Sequence, residues 1–291
     1  MWFIFTLFSI VLWGGADLFY KLGSNEEDRY SHLKIAVFVG LTMGIHAAAY
    51  MCFSDTKYDI VNIVRYLPVS SLYILSMIIG YVGLKYILLS IASPIGNSSG
   101  AIAFILCFIF LAEPMTFIQI AAVAVISIGI FLLALMHKRG ERIDDNEERY
   151  RKGALAIAFP ILYCLIDGTG TFADALILDR VMDEDQALIS YELTFLIVAV
   201  VCFIYLFVVK KEHIVILQQK ERIAAAILET AGQFFYVKAM AENAILTAPL
   251  VACYSIASVI LSRIFLKEKL SVKQYLIIIA IVISIGILGI E

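Results

Sequence analysis

The chain has 291 residues, of which 62% are hydrophobic and only 16% charged, and its mean hydropathy is +0.92. A soluble domain carries roughly 25% charged residues, so a water-soluble globule is excluded, and a net charge of -3 points to no nucleic-acid partner. The five cysteines lie within or at the end of apolar runs without CxxC spacing, so they read as core residues and signal neither a metal site nor a disulfide framework.

Apolar windows of about 20 residues, each long enough to cross about 30 Å of hydrocarbon, fall at 2–21, 33–53, 69–89, 92–111, 116–136, 153–177, 187–209, 221–243, 246–266 and 271–290. The expectation is an all-α integral membrane protein with ten transmembrane helices and no sizeable soluble domain. The first window opens without a basic n-region or small-residue cleavage site and reads as a retained span. Within it, "LWGGADLFYK" (12–21) places two glycines and Asp17 where a plain anchor would have neither. Lys21, one turn after Asp17, is positioned for an i,i+4 pair.

His46 in the second window reads as a satisfied core residue, with a proton relay as the alternative. "KYDIVNIVRYL" (57–67) mixes charges with apolar residues, as a short interfacial helix or a plain loop would. The fourth window opens with "SPIGNSSG", where Pro94 suits a first helical turn because its missing N–H has no partner to lose. "HKRGERIDDNEERYRK" (137–152) is the long polar connection and reads as a cytoplasmic linker between units 1–136 and 153–291. Further on, two glycines follow Asp167 and could loosen that helix as a gate, while Asp174 reads as a surface acid near the outer end.

If ten spans alternate, one face receives all of the 22 Lys and Arg residues except Lys57, Arg65, Arg180 and Lys238. The positive-inside rule puts the richer face in the cytoplasm and both termini outside, in a multi-pass protein of the cell membrane, of bacterial inner-membrane type.

A shift of 155 superposes "YVGLKYILLSIASP" (81–94) on "YVKAMAENAILTAP" (236–249) and, without a gap, "FLAEPMTFIQ" (110–119) on "FLKEKLSVKQ" (265–274). Aliphatic matches between greasy segments are cheap, but Pro94/Pro249, Glu113/Glu268 and Gln119/Gln274 share that one offset. The repeat holds five spans, an odd number, so its second copy enters the membrane from the opposite side. Two inverted five-helix repeats of this kind form substrate sites near the midplane between the halves.

With five plus five spans, a Trp-Gly near the middle of the first, Pro94 opening the fourth and the recurring "FLxExxxxxQ" hinge, the chain resembles the EamA-like branch of the drug/metabolite transporter superfamily. That resemblance implies a transporter, not an enzyme, and leaves the solute open among amino acids, sugars, nucleotides, choline and drugs. Many ten-span relatives have cytoplasmic termini, opposite to the orientation the charges give here.

An offset of 150 lays Trp13 over Tyr163 and Asp17 over Asp167, with the aromatics about 15 to 17 Å into their spans and the acids a turn deeper. Each intramembrane acid costs about 2.5 to 3.5 kcal/mol at a helix centre, so each should meet a wet cavity, a proton or a hydrogen-bonding neighbour that holds helices together. Glu229, about 12 Å into the eighth span, is the leading coupling candidate, with Asp17 second. Trp13, Asn97, Tyr163, Asp167, Gln233 and Tyr254 are the substrate-binding candidates, against the alternative of core packing for the tyrosines and helix packing for the Asn97 region. Aromatics with carboxylates suit an organic cation or an amino acid's ammonium.

The expected function is secondary transport, export or import, of a small polar organic metabolite, with proton or cation coupling and lipid as the surrounding partner, as monomer or homodimer. No Walker motif or other phosphate-cradling loop provides for nucleotide hydrolysis, and no cofactor is implied. An intramembrane lipid-modifying enzyme would need converging His and Asp or a metal cluster, whereas the four His residues are dispersed. A channel is disfavoured by the repeat architecture and the lack of a filter-like stretch.

Overall fold

The computed structural model describes residues 1–24, 28–54, 56–111, 115–137, 157–212, 214–267 and 270–290. These form α1 (Trp2–Gly23), α2 (Ser31–Phe53), α3 (Val61–Gly83), α4 (Leu89–Asn97), α5 (Ser99–Phe110), α6 (Phe117–His137), α7 (Ala158–Arg180), α8 (Glu184–Ile204), α9 (Lys220–Glu242), α10 (Ala244–Val251), α11 (Tyr254–Phe265) and α12 (Val272–Ile290), with no strand among the described residues. Eight stretches are long and apolar enough to cross a membrane, and Phe117–Leu133 is a shorter apolar helix. Each apolar window overlaps a helix or a broken pair of helices, 69–89 with an offset because α3 starts at Val61, but α9, charged at both ends with Glu229 between, is not among the eight. The chain is a multi-pass membrane protein whose outward side chains, such as Val11, Ile45 and Ile264, are exposed hydrocarbon.

Polar contacts fix which helix ends lie together. At one end, Lys21 Nζ donates to Leu84 O and Ile87 O at 2.6 and 2.7 Å, and Lys85 Nζ to Asp28 O and Arg29 O at 3.0 and 2.9 Å. Asp28 also pairs with Lys34 and Arg222 at 3.1 and 2.9 Å. At the other end, Lys238 pairs with Asp185 and Glu184 at 2.5 and 3.5 Å, and Tyr50 donates to Asp185 at 2.8 Å. Helix α1 therefore finishes where α3 finishes and α9 begins, while α2 and α9 finish where α8 begins.

Helix α1 lies along α9, and α3 along α7; α2 pairs with α8, and α6 with α12. Glycine permits the closest of these approaches: a Cβ at Gly40 would overlap the Phe195 carbonyl of α8, and one at Gly14 the Ala257 side chain of α11. The glycines after Asp167 have the same use, since Gly168 lies against Ser99 O and Ile102, and α7 runs unbroken through them. Both are packing positions in a continuous helix.

Two apolar stretches are broken in mid-course: α4 gives way to α5 at Ser98, and α10 to α11 at Ala252 and Cys253. Pro94 and Pro249 each lie inside the helix before the break, so Pro94 does not occupy a first turn as expected; α4 begins five residues earlier, at Leu89. A proline ring in a helix interior removes one intrahelical hydrogen bond and weakens the ladder locally.

The recurring glutamines of the hinge are helix caps. Thr116 N donates to Gln119 Oε1 at 2.9 Å while Gln119 N reaches Thr116 Oγ1 at 3.2 Å, and Ser271 N with Gln274 Oε1 repeats the arrangement at 2.6 Å, returned at 3.4 Å. Both are capping boxes that satisfy orphan N–H groups at the starts of α6 and α12. Glu113, Glu268 and most of the 137–152 linker lie outside the described residues. The 57–67 segment is neither a separate interfacial helix nor a plain loop throughout: from Val61 onward it is the first turns of α3, anchored where Asn62 donates to Gln186 at 2.9 Å. Cys107, Cys202 and Cys253 are buried, whereas Cys52 is exposed on the last turn of α2.

Candidate functional site

Between the helices lies a cavity of ≈ 110 Å³, counted as space open to the centre of a water molecule. One water needs roughly 10–15 Å³ on this measure, so the space suits a small organic solute. Trp13, Asp17, Asn97, Tyr163, Asp167, Glu229, Gln233 and Tyr254 all line it. They come from α1, α4, α7, α9 and α11, elements on both sides of the 137–152 linker. The cavity also touches Leu84, Leu89 and Pro160, so it extends toward the end where α3 finishes and α4 and α7 begin.

Asp17 is held by serines. Ser93 Oγ and Ser258 Oγ donate to its Oδ2 at 2.6 and 2.7 Å, and Asn97 Nδ2 donates to Ser93 Oγ at 3.1 Å. The expected partner, Lys21, instead turns its ammonium to the carbonyls of Leu84 and Ile87. Asp167 is cradled similarly, by Ser99 at 2.9 Å and Ser76 at 3.4 Å. Hydroxyls donating to a carboxylate offset part of the cost of its desolvation.

Glu229 is 8% exposed, and its backbone carbonyl accepts from Trp13 Nε1 at 3.2 Å. One turn on, Gln233 is 2% exposed, and its Nε2 has no hydrogen-bond partner among the described residues. The Trp13 ring stands 5.0 Å from Tyr236 and 5.6 Å, edge-on, from Tyr254, both spacings typical of favourable aromatic pairs. Tyr163 OH and Tyr254 OH lie 3.4 Å apart. The Tyr163 ring fits between Gly80 and Gly96, where an added Cβ would come within 3.0 Å of either edge. Small residues on α3 and α4 thus leave the slot this aromatic fills.

Deeper in the bundle, Tyr73 OH meets Tyr236 OH at 3.0 Å and Thr171 Oγ1 at 3.3 Å. Beyond them Asp174 accepts from Tyr66 OH at 2.5 Å and is 0% exposed. Asp174 is therefore a buried acid, not the surface acid expected from its distance along the helix. His46 is half-buried with Nδ1 2.7 Å from Glu192 Oε1, so it has a partner, as a satisfied residue requires.

Ser76, Ser93 and Ser258 of the cradles, Tyr20, Tyr81 and Glu192 escaped the sequence reading, while Ser99 was read as helix packing with the Asn97 region. Serines are too common in packed membrane helices to stand out. Tyr81 was within reach, since it matches Tyr236 at the 155 shift and both line the cavity. Glu192 was legible too, as a carboxylate inside an apolar run.

A solved chain titled "Crystal structure of protein" resembles this one with a TM-score of 0.65 at 15% identity, over 98% of this chain and 95% of that one. At that identity the likeness concerns the fold alone. No curated protein matches the sequence. The family match falls on the second half of the chain, with the first half outside it: residues 156–290 match the model of the EamA-like transporter family.

Proposed function

We propose that the protein is a secondary transporter, exporter or importer, of a small polar organic metabolite, an amino acid or an organic cation. It works by alternating access around the cavity between two inverted five-helix repeats, residues 1–136 and 153–291. In this reading the membrane is crossed ten times, the termini lie outside the cell, Glu229 and Asp17 carry the coupling proton or cation, and the other six candidates hold the solute. The observation that carries it is the gathering of intramembrane acids and aromatics from both halves around one cavity.

The packing supports the inverted layout. Exchanging the first-half helices for their counterparts turns the α1–α9 contact into the α7–α3 contact and returns α2–α8 and α6–α12 to themselves. The helix breaks recur in corresponding positions, at Ser98 and at Ala252–Cys253, and residues beside both line the cavity. Discontinuous helices near the midplane are where transporters built from inverted repeats expose backbone to solute.

The decisive experiment is uptake of radiolabelled amino acids and quaternary amines into proteoliposomes, with and without a pH gradient. Saturable movement of one solute class is expected. No saturable movement of any solute would overturn the transporter reading.

A further inference from the structure

The cavity's charge is one-sided. Asp17, Asp167 and Glu229 line it, and no Lys, Arg or His stands among the described residues that do. A site for an amino acid must answer a carboxylate as well as an ammonium, and these side chains offer the carboxylate no cation. The acids stand on three different helices of the wall, Asp17 on α1, Asp167 on α7 and Glu229 on α9. Asp17 is fixed to Ser93 of α4 and Ser258 of α11, and Asp167 is fixed to Ser76 of α3 and Ser99 of α5.

An unpartnered polar group points the same way. Gln233 Nε2 is buried in the cavity wall without a hydrogen-bond partner among the described residues, in a wall where the Tyr20 hydroxyl interacts with Tyr81 and with Glu229. Buried polar atoms are nearly always paired, so such an atom in this wall marks a place for a bound molecule or ordered water. A phenol oxygen accepts from an ammonium, and so does the amide of Gln233 once its oxygen and nitrogen exchange places. Trp13, Tyr163 and Tyr254 supply aromatic surface for the chain or head of such a molecule.

We propose that the solute is a compact organic dication, a diamine with two separated ammonium groups, one held at Asp167 and the other at Asp17 with Glu229, which hold that ammonium and the coupling proton or cation in turn. This rests on the transporter reading for its role but concerns binding alone. Three probes share a four-carbon chain and one ammonium: diaminobutane adds a second ammonium, butylamine a methyl end, and γ-aminobutyrate a carboxylate.

The full-length protein in detergent would be titrated with each by calorimetry and thermal shift. Diaminobutane is expected to bind about tenfold or more tightly than butylamine, as a second charge-assisted hydrogen-bonded contact allows, and γ-aminobutyrate more weakly than either. Asp167→Asn and Asp17→Asn, each first verified as monodisperse and cooperatively melting, should each bring the ratio of diamine to monoamine affinity down to about one. Equal binding of diamine and monoamine, tighter binding of γ-aminobutyrate, or an unchanged ratio in folded variants would overturn the inference. Diamine binding without flux in proteoliposomes would uphold the inference and count against transport, whereas flux of a zwitterion without diamine binding would do the reverse.

Discussion

The indole Nε1 of Trp13 donates to the backbone carbonyl of Glu229 at 3.2 Å, keying the first helix to the turn of α9 that carries a cavity acid. The bond uses the backbone of Glu229, so its carboxylate can be changed without breaking the tie. Glu229→Gln should therefore leave the protein folded, with an unaltered gel-filtration profile, and lower pH-driven uptake in proteoliposomes at least tenfold. Undiminished uptake would remove Glu229 from coupling.

Gly232 lets Trp13 lie against α9, since a Cβ there would overlap the indole. Gly232→Ala should displace the ring and cost about 1–3 kcal/mol, as overpacking of a tight core does. Tryptophan fluorescence should shift along with a lower melting temperature. An unshifted spectrum at native stability would show that α1 and α9 are looser than their contact implies.

Tyr66 supplies the short hydrogen bond to Asp174 Oδ1, and the hydroxyls of Tyr73 and Tyr236 also interact with this carboxylate. Tyr66→Phe deprives the buried acid of that donor and should destabilise the protein by about 1–3 kcal/mol. Asp174→Asn in the Tyr66→Phe background should recover part of the loss, because the neutral amide is less costly to bury. A double-mutant cycle on melting temperature measures this coupling, and strict additivity would show that the two residues act independently.

Asp28 lies in the α1–α2 connection, where burial would raise its carboxyl, but hydrogen bonds and charge from Lys34 and Arg222 more than reverse that and hold it below the usual range. A depressed folded value means that this contribution is fully present above the unfolded value, near about 4, and is lost as pH falls through the folded one. The melting temperature in detergent should accordingly fall on acidification below about pH 4. Asp28→Asn should be less stable at neutral pH and lose less on acidification. Parallel pH curves for the two proteins would contradict this account.

Orientation is open to direct labelling. A single cysteine introduced within 140–148 should resist membrane-impermeant maleimide in intact cells and react after permeabilisation. Ready reaction in intact cells would invert the topology.

The sequence carried the positions of the apolar stretches and the cavity residues well, for two physical reasons. Hydrocarbon demands uninterrupted apolar runs, and an acid inside such a run is costly enough to mark itself, as Asp17, Asp167 and Glu229 do. It carried partners poorly. Lys21, one turn from Asp17, seemed its natural counterion, yet its long side chain reaches the carbonyls beyond α3 while serines from α4 and α11 hold the acid. Those serines are remote in sequence and unremarkable in type. The hinge glutamines show the opposite case, because the T-x-x-Q and S-x-x-Q spacing of a capping box was visible at both copies and only its meaning was missed.

Helix α9 is fastened at both extremities, Arg222 to Asp28 and Lys238 to Asp185. It has 23 residues, about 34 Å of nearly rigid rod. A rod so latched cannot tilt against α2 and α8 without lengthening one ionic latch before the other, and each latch lies in a half-buried setting where a separated charge is poorly solvated. To the packing along α1 the bundle thus adds resistance to rocking at two small, chemically distinct points, and added salt will soften the more exposed of them first.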